Sequence, residues 1–317
     1  MKRSLLVLMT VAIATLSAMA QPALKTAMAG VDDAMHLALV NETGTAVQYV
    51  IRNGDGGWTP WQNLCQVIGP KRDIKKIAIA NVNGNVHLVM IAENRVWHTI
   101  RKAATGKWDG WGDVYGASGN LNNVSDISVA GMPNGDLHIV ALAEGIVWHT
   151  IRKETGWDHW GNVYGQTGPI SNPTAVSASS MPNGDLHIAA IAGGRVWHTI
   201  RKETGWDHWG DVFGQTGPVQ NLQMVSTASN ERGDLYILVM AGPSPMYAVR
   251  GQSGWTRWAD INGKAGSVPE PISSAALCYG NGQFQYTIVA GRNVYHCLNR
   301  PDGSWQNWGN LGIAGRF

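Results

Sequence analysis

One unit of about 49 residues recurs six times along this chain of 317 residues. The unit is clearest in residues 132–165, which recur with few changes as residues 181–214. A fixed period of about 40 to 50 residues is typical of propellers and solenoids. The pair Trp-x-x-Trp marks all six copies: Trp58/Trp61, Trp108/Trp111, Trp157/Trp160, Trp206/Trp209, Trp255/Trp258 and Trp305/Trp308. The predicted repeats are residues 21–68, 69–118, 119–168, 169–217, 218–266 and 267–317.

Each unit has the pattern of four short strands. In the third copy the strands are predicted at residues 126–130, 137–143, 147–152 and 160–164, and the breaks between them are rich in Gly, Asn and Pro. No apolar stripe at helical spacing interrupts them. Four antiparallel strands per repeat form a propeller blade. We therefore predict an all-β, six-bladed β-propeller in which residues 21–317 form one domain. Because the first and last repeats each carry a full set of strands, ring closure should need no exchanged strand.

The amino terminus has the pattern of an export signal. Lys2 and Arg3 precede an apolar run over residues 5–16, and Ala18-Met19-Ala20 fits the small-x-small rule for cleavage. This predicts a signal peptide over residues 1–20 and a mature chain from Gln21. The apolar run is shorter than the roughly twenty residues of a spanning helix. We expect a soluble, secreted protein, either extracellular or periplasmic, without a transmembrane segment.

Charge and cysteine content restrict the function classes further. Without Lys2 and Arg3, the 24 basic residues fall to 22 and equal the 22 acidic ones. A formally neutral chain argues against nucleic acid as a partner. The three cysteines are too few for a disulfide scaffold, although export leaves open one bridge of Cys65 with Cys278 or Cys297.

The word Val-Trp-His-Thr-Ile-Arg is complete in only three repeats, at residues 96–101, 147–152 and 196–201. Residues that half of the blades lack are not required to form the ring, so this sequence motif favours a ligand site. Its Trp and Arg project from the same face of a strand. An indole stacks on the apolar face of a sugar ring while a guanidinium hydrogen-bonds to hydroxyls, and several weak sites on one ring gain by avidity. The predicted sugar-binding residues are Trp97, Arg101, Trp108 and Trp111, then Trp148, Arg152, Trp157 and Trp160, and then Trp197, Arg201, Trp206 and Trp209.

Two alternatives stay open for the Trp-x-x-Trp pair, which recurs in every blade. Each of the two indoles is either a structural wedge between neighbouring blades or a contact for the ligand. The wedge is the more natural role for the second Trp, whereas the first lies nearer the turn and the surface.

Histidines recur in the second and third strands of the units. Zinc requires about four convergent ligands, and equivalent residues of successive blades diverge around a ring. We therefore predict packed, hydrogen-bonded histidines without a metal or other cofactor. Their positions are His36, His87, His138 and His187 in the second strand, and His98, His149, His198 and His296 in the third.

No constellation typical of catalysis occurs in the chain. It has no Gly-x-Ser-x-Gly, no His-Glu-x-x-His and no phosphate-binding loop. Glycosidases need two carboxylates across the scissile bond, and the pair Asp32/Asp33 lies in a repeat-junction loop. We predict a binding protein that is not an enzyme. A protein-interaction scaffold is the main alternative, and a glycan-active hydrolase is less favoured.

The combined motif of Gly-Asp-Leu-His-Ile, Val-Trp-His-Thr-Ile-Arg and Gly-Trp-Asp-His-Trp-Gly resembles that of bacterial β-propeller lectins of the Photorhabdus type. It is similar, more loosely, to that of six-bladed tectonins. The resemblance spans residues 30–312. It implies binding of fucosylated or O-methylated sugars, on cell-surface glycans or glycoproteins, in Trp-lined pockets at the edges of blades and between them. Each set of site residues would be completed by the neighbouring blade. Assembly into a homo-oligomer is left open.

Overall fold

The computed structural model describes residues 25–312 and forms six antiparallel sheets arranged as a ring. Each sheet consists of strands that are consecutive in the sequence, so no strand is exchanged between the first blade and the last. This confirms the predicted six-bladed β-propeller with four antiparallel strands per blade. The predicted export signal, residues 1–20, lies outside the described residues. Among residues 25–312, no helix is long and apolar enough to cross a membrane.

The first three blades follow one plan. Blade 1 contains β1 (Lys25–Val31), β2 (Ala34–Val40), β3 (Val47–Arg52) and β4 (Gln62–Asn63). Blade 2 contains β5 (Lys76–Val82), β6 (Asn85–Ala92), β7 (Arg95–Arg101) and β8 (Gly112–Asp113). Blade 3 contains β9 (Val124–Gly131), β10 (Leu137–Ala143), β11 (Ile146–Lys153), β12 (Gly156–Trp157) and β13 (Gly161–Asn162).

The last three blades repeat this plan, and in blades 3 to 5 the outermost edge is split into two short pieces. Blade 4 contains β14 (Pro173–Ser180), β15 (Leu186–Ala192), β16 (Arg195–Lys202), β17 (Gly205–Trp206) and β18 (Gly210–Asp211). Blade 5 contains β19 (Leu222–Ser229), β20 (Leu235–Ala241), β21 (Ser244–Gly251), β22 (Gly254–Trp255) and β23 (Ala259–Asp260). Blade 6 contains β24 (Ile272–Gly280), β25 (Gln283–Ala290), β26 (Asn293–Asn299) and β27 (Gly309–Asn310).

The fourth strand is shorter than the sequence predicts. Where residues 160–164 were expected to be extended, only Gly161–Asn162 pairs with β11, and a helical turn follows. The cause is the side chain of Asn162, whose Oδ1 accepts a hydrogen bond from the Tyr164 N–H at 2.9 Å and turns the chain. Gly168, with a φ of 77°, ends the turn. The helices are α1 (Leu64–Val67), α2 (Val114–Ser118), α3 (Tyr164–Thr167), α4 (Phe213–Thr216) and α5 (Asn262–Ala265).

The same side-chain cap occurs in every blade. In each, an Asn or Asp side chain accepts a hydrogen bond from the N–H two residues further on. A short polar side chain that satisfies its own backbone in this way ends the ladder and starts a turn. The six capping residues are Asn63, Asp113, Asn162, Asp211, Asp260 and Asn310.

The hydrophobic core is divided into six clusters, and each cluster lies between two neighbouring blades. The first strands of adjacent blades contact one another around a central channel. Side chains there accept hydrogen bonds from the backbone of the next blade, as when Ser177 Oγ accepts from the Thr227 N–H at 2.9 Å. At the closing junction, Ser274 Oγ accepts from the Thr26 N–H at 3.2 Å. Side-chain contacts therefore close the ring, as the sequence predicts.

All three cysteines are free and buried. Cys65 packs between blades 1 and 2, Cys278 between blades 6 and 1, and Cys297 between blades 5 and 6. The disulfide that the sequence leaves open at the seam is therefore not formed.

Candidate ligand-binding grooves

The first Trp of each Trp-x-x-Trp pair lies in a blade junction, against a ring from the preceding blade. Trp157 meets His98 edge-on with ring centroids 5.5 Å apart, and Trp206 meets His149 in the same way at 5.6 Å. A ring contact recurs at all six junctions, including the seam, where Trp58 of blade 1 meets His296 of blade 6; five are edge-on, and the rings of Tyr247 and Trp305 are tilted by 46°. Aromatic pairs in this geometry stabilise beyond the area they bury. The six contacts are Tyr49/Trp108, His98/Trp157, His149/Trp206, His198/Trp255, Tyr247/Trp305 and His296/Trp58.

The recurring histidines form buried pairs within blades 2, 3 and 4. The Nδ1 of one imidazole lies 2.9 to 3.1 Å from the Nε2 of the other, so one ring donates a proton and the other accepts it. Burial lowers the pKa of His87, His138 and His187 to about 3. The pairs are therefore neutral at physiological pH. They are His87/His98, His138/His149 and His187/His198. Within residues 25–312, no three His, Cys, Asp or Glu side chains converge as metal ligands would.

An arginine of the following blade lies near each of these pairs. After burial, the largest cause of the low pKa of His87 is the positive charge of Arg152 in blade 3. The charge of Arg201 acts on His138 in the same way. The third-strand arginine of one blade thus lies near the histidine pair of the preceding blade. Equivalent residues are Arg52, Arg101, Arg152, Arg201 and Arg250, and the sixth blade carries Asn299 instead.

The third-strand tryptophans lie half-buried in the junction clusters rather than in an open pocket. The Nε1 of Trp97 donates to the carbonyl oxygen of Ala92 at 3.1 Å, and the Lys71 ammonium lies 3.1 Å above the centre of the Trp97 ring. Trp148 belongs to the same cluster as the buried side chain of Leu121 from the preceding linker. Trp197 likewise belongs to the cluster that contains Ile170.

Trp97 and Arg101 project from the same face of β7, as the sequence predicts, but four residues separate them. At about 3.3 Å per residue the two positions lie about 13 Å apart along the strand. The structure therefore places them at two ends of one junction. The same spacing holds for Trp148 with Arg152 and for Trp197 with Arg201.

The second Trp of each pair also packs towards the preceding blade. The Nε1 of Trp111 donates to the carbonyl oxygen of Gly69 at 2.9 Å, and that of Trp258 donates to Gly217 at 3.0 Å. Trp160 and Trp209 lie in the corresponding clusters of blades 3 and 4. Both indoles of the repeated pair are thus anchored in the junctions.

An open groove follows the junction of blades 1 and 2 at the outer edge of the ring. Its volume is about 520 Å³. Blade 1 contributes Trp61 with Tyr49, Asn63 and Gln66, and blade 2 contributes Arg101. An indole, a guanidinium and side-chain amides therefore line one cavity, and the indole and the guanidinium come from different blades.

Sequence reasoning placed Arg101 in a ligand site but missed Trp61 and Tyr49 as its companions. The available signal was Trp61 itself, a member of the pair that recurs in all six units. By repeat position, Trp111 corresponds to Trp61 and Arg152 to Arg101, so we expect related grooves at other blade junctions.

The chain is a six-bladed β-propeller with an open groove at the junction of blades 1 and 2. In sequence it matches no protein-family model and no curated protein. Solved structures with a similar fold include the SapL1 lectin in complex with alpha-methyl fucoside, at a TM-score of 0.64 and 12% identity, covering 92% of this chain and 95% of the lectin. At such an identity the likeness shows the fold alone.

Propellers described as enzymes are similar as well. A Hadza microbial sialidase matches with a TM-score of 0.57 and 10% identity, covering 91% of this chain and 66% of the sialidase. A putative gluconolactonase matches with a TM-score of 0.50 and 13% identity, covering 92% of this chain and 91% of that protein. The fold is therefore shared by proteins of different function and does not by itself identify the function of this chain.

Proposed function

We propose that this chain is a secreted lectin, a carbohydrate-binding protein without enzymatic activity, and that it binds glycans in the grooves between its blades. The observation that carries the proposal is the groove lined by Trp61 and Arg101. Sugar sites need an aromatic face for the C–H surface of the ring and planar polar groups for the hydroxyls. The indole, the guanidinium and the amides of Asn63 and Gln66 supply both.

The repetition of the groove supports a multivalent mode of binding. Five of the six third strands carry the arginine, and all six blades carry the second Trp. The groove between blades 1 and 2 is open to solvent and would hold a single sugar weakly. Several such grooves on one rigid ring bind a surface with many copies of the glycan much more tightly than one groove does.

Fucosylated and O-methylated sugars are the first ligands to test. The sequence motif resembles that of Photorhabdus-type lectins, and the similar SapL1 lectin was solved with alpha-methyl fucoside. A methyl group at the fucose ring or on an oxygen would contact the indole of Trp61 while Arg101 holds neighbouring hydroxyls.

Hydrolase activity is the second candidate, because a sialidase and a putative gluconolactonase share the fold. The groove between blades 1 and 2 contains no carboxylate among its lining residues, and general acid catalysis of glycoside cleavage requires one. The groove therefore favours binding over hydrolysis.

A glycan array with the purified protein tests the proposal. The decisive variant combines Arg101→Gln, Arg152→Gln and Arg201→Gln, and its matched control is Arg292→Gln, whose side chain is 74% exposed in blade 6. Binding to an immobilised glycan should fall stepwise as the three groove arginines are replaced, and the control should bind as the wild type does. The unfolding temperature of each variant shows that the ring is intact.

A folded wild type that binds no glycan on the array contradicts the lectin and leaves the protein-interaction scaffold as the better hypothesis. Equal binding by the triple variant and the control would show that the sugar lies elsewhere. Release of free sugar from the array would favour the hydrolase.

A further inference from the structure

The first strands place one residue of each blade at the same level of the central channel. In every blade, this first-strand residue is paired with the second-strand residue at the same repeat position. Lys25, for example, pairs with Val40, and Asp126 pairs with Leu142. This level is the end of the channel where the first strands begin, and we call it the charged mouth. Its six residues, in blade order, are Lys25, Lys76, Asp126, Ala175, Met224 and Ser274.

The charged mouth opens into a cavity of about 1000 Å³, to which all six blades contribute. Beyond it the channel narrows to a space of about 70 Å³, lined by side chains such as Ser128, Ser177 and Thr227. A cavity of several hundred Å³ is the size at which proteins hold small molecules. The charged mouth can therefore receive a sugar-sized ligand, and the narrow section below stops it.

Asp126 is fully engaged by the protein. Its Oδ1 lies 2.7 Å from the Lys76 ammonium, and its Oδ2 accepts a hydrogen bond from the Val176 N–H at 2.9 Å. The carboxylate thus neutralises Lys76 and ties blade 3 to blade 4. It has little capacity left for a second lysine.

Lys25 forms no ion pair of its own within residues 25–312, because the two carboxylates whose charge reaches it, Asp73 and Asp126, are each paired with another lysine. Among the described residues, no carboxylate lies within ion-pair distance of its ammonium, and Lys75 nearby is paired with Asp73 at 3.4 Å. Burial, and after it the charge of Lys76, lowers the pKa of Lys25, and the charges of Asp73 and Asp126 offset only part of this effect. A half-buried ammonium beside like charge gains free energy when an anion binds.

Polar side chains suited to hydroxyl groups surround this positive centre. Asn122 and Asn123 line the cavity from blade 3, Gln223 lines it from blade 5, and Ser273 from blade 6. Amides and hydroxyls both donate and accept hydrogen bonds. The rim therefore offers partners for a polyhydroxylated ligand around an ammonium that has no ion pair of its own in the described part of the chain, with the carboxylate of Glu144 on the blade 3 side of the cavity.

We infer that the charged mouth is a second binding site, separate from the grooves, which takes an acidic saccharide and holds its carboxylate or sulfate group against Lys25. The ligand lies in the wide cavity with its acidic group towards the first strands and its hydroxyls towards the amides of the rim. The inference does not depend on the grooves, because no residue of the groove between blades 1 and 2 lines the charged mouth.

Titration calorimetry with glucuronate and with galactose 6-sulfate, and with glucose as the neutral reference, tests this site. Both acids or one of them should bind more tightly than glucose, which also identifies the preferred acidic group. The affinity should fall as salt is added, because one exposed charge pair is screened. Lys25→Gln should weaken binding about tenfold, the usual loss when a charged hydrogen-bond partner is removed. Lys25→Arg should restore it.

Two further variants make the result specific. Lys264→Gln removes an exposed lysine of α5 and should bind the acids as the wild type does. Arg101→Gln changes the groove and should also leave their binding unaltered. The inference is overturned if neither acid binds more tightly than glucose, if Lys25→Gln binds like the wild type, or if Arg101→Gln abolishes acid binding and so places the acid in the groove.

Discussion

Acidification should unfold this propeller well above the pH at which its buried histidines titrate in the folded state. The pKa of His87, His138 and His187 is lowered from 6.5 to about 3 by burial, so the unfolded chain binds protons that the folded chain excludes. Stability contributed by neutral histidines is complete above pH 6.5. It is lost as the pH falls from there towards 3, where the folded state titrates as well.

The size of the effect follows from the unfolded pKa alone, provided that the folded pKa lies well below the pH of the experiment. At pH 5, a histidine with an unfolded pKa of 6.5 lowers the free energy of unfolding by about 2 kcal/mol relative to pH 8. Summed over the eight buried histidines, the loss at pH 5 exceeds the whole stability of a typical domain, about 5 to 15 kcal/mol, so the wild type should unfold before pH 5 is reached. These histidines are His36, His87, His98, His138, His149, His187, His198 and His296.

Blade 6 provides a natural substitution for the test. There Gln285 occupies the second-strand position of the pair, and its Oε1 lies 3.1 Å from the Nε2 of His296. His87→Gln, His138→Gln and His187→Gln should therefore keep the hydrogen bond and remove one proton-binding group from each pair. Each change should reduce the loss of stability between pH 8 and pH 5 by about 2 kcal/mol. Urea unfolding followed by tryptophan fluorescence, at pH 8 and at successively lower pH values down to the pH at which each variant unfolds without urea, measures this difference.

The control for the substitution itself is His159→Gln, which lies in the exposed segment between β12 and β13, outside the buried pairs, with its Nδ1 3.2 Å from the carbonyl oxygen of Ser118. The reasoning is refuted if the wild type is equally stable at pH 8 and pH 5. It is also refuted if the triple glutamine variant loses as much stability on acidification as the wild type. Either result would mean that the imidazoles accept protons inside the folded ring.

Two further predictions concern the channel wall and the seam. A Cβ on Gly131 would overlap the carbonyl oxygen of Asn81 on the first strand of the neighbouring blade. Gly131→Ala should therefore lower the unfolding temperature by several degrees. Gly165→Ala is the control, because open space surrounds Gly165, and it should not lower the unfolding temperature. Equal unfolding temperatures for these two variants would contradict the close approach. Ser274→Ala leaves the buried Thr26 N–H unpaired and should cost about 1 to 3 kcal/mol in urea unfolding. An unchanged midpoint would show that the seam does not depend on this bond.

The blade number and the strand order could be predicted because they are recorded in the repeat spacing. Six Trp-x-x-Trp pairs about 49 residues apart specify six equal units, and complete first and last units exclude an exchanged strand. The length of the fourth strand could not be read from apolar spacing. The strand ends where a single side chain, that of Asn162, accepts a hydrogen bond from the Tyr164 N–H, although an Asn or Asp at this position in all six units was a usable signal.

The composition of the groove was only half predictable. The alternation of side chains along a strand places Trp97 and Arg101 on the same face. It does not show which residues of the neighbouring blade or linker pack against each of them. In the structure, the linker residue Lys71 lies over Trp97, and the indole that shares a cavity with Arg101 is Trp61 of another blade. Such pairings depend on how neighbouring blades are rotated about the ring axis. The spacing of the repeats along the sequence does not specify this rotation.

The seam has a consequence for how this molecule can change. Every blade is made from one continuous stretch of chain, and the junction of blades 6 and 1 has a ring-against-Trp contact as the other junctions do. A change in the number of units therefore does not require any strand to move from one blade to another. A duplication or deletion of one unit adds or removes a whole wedge together with half of each groove beside it. The near-identity of residues 132–165 and 181–214 is what a recent event of this kind would leave. The number of grooves can therefore change in steps of one by copying sequence that already folds.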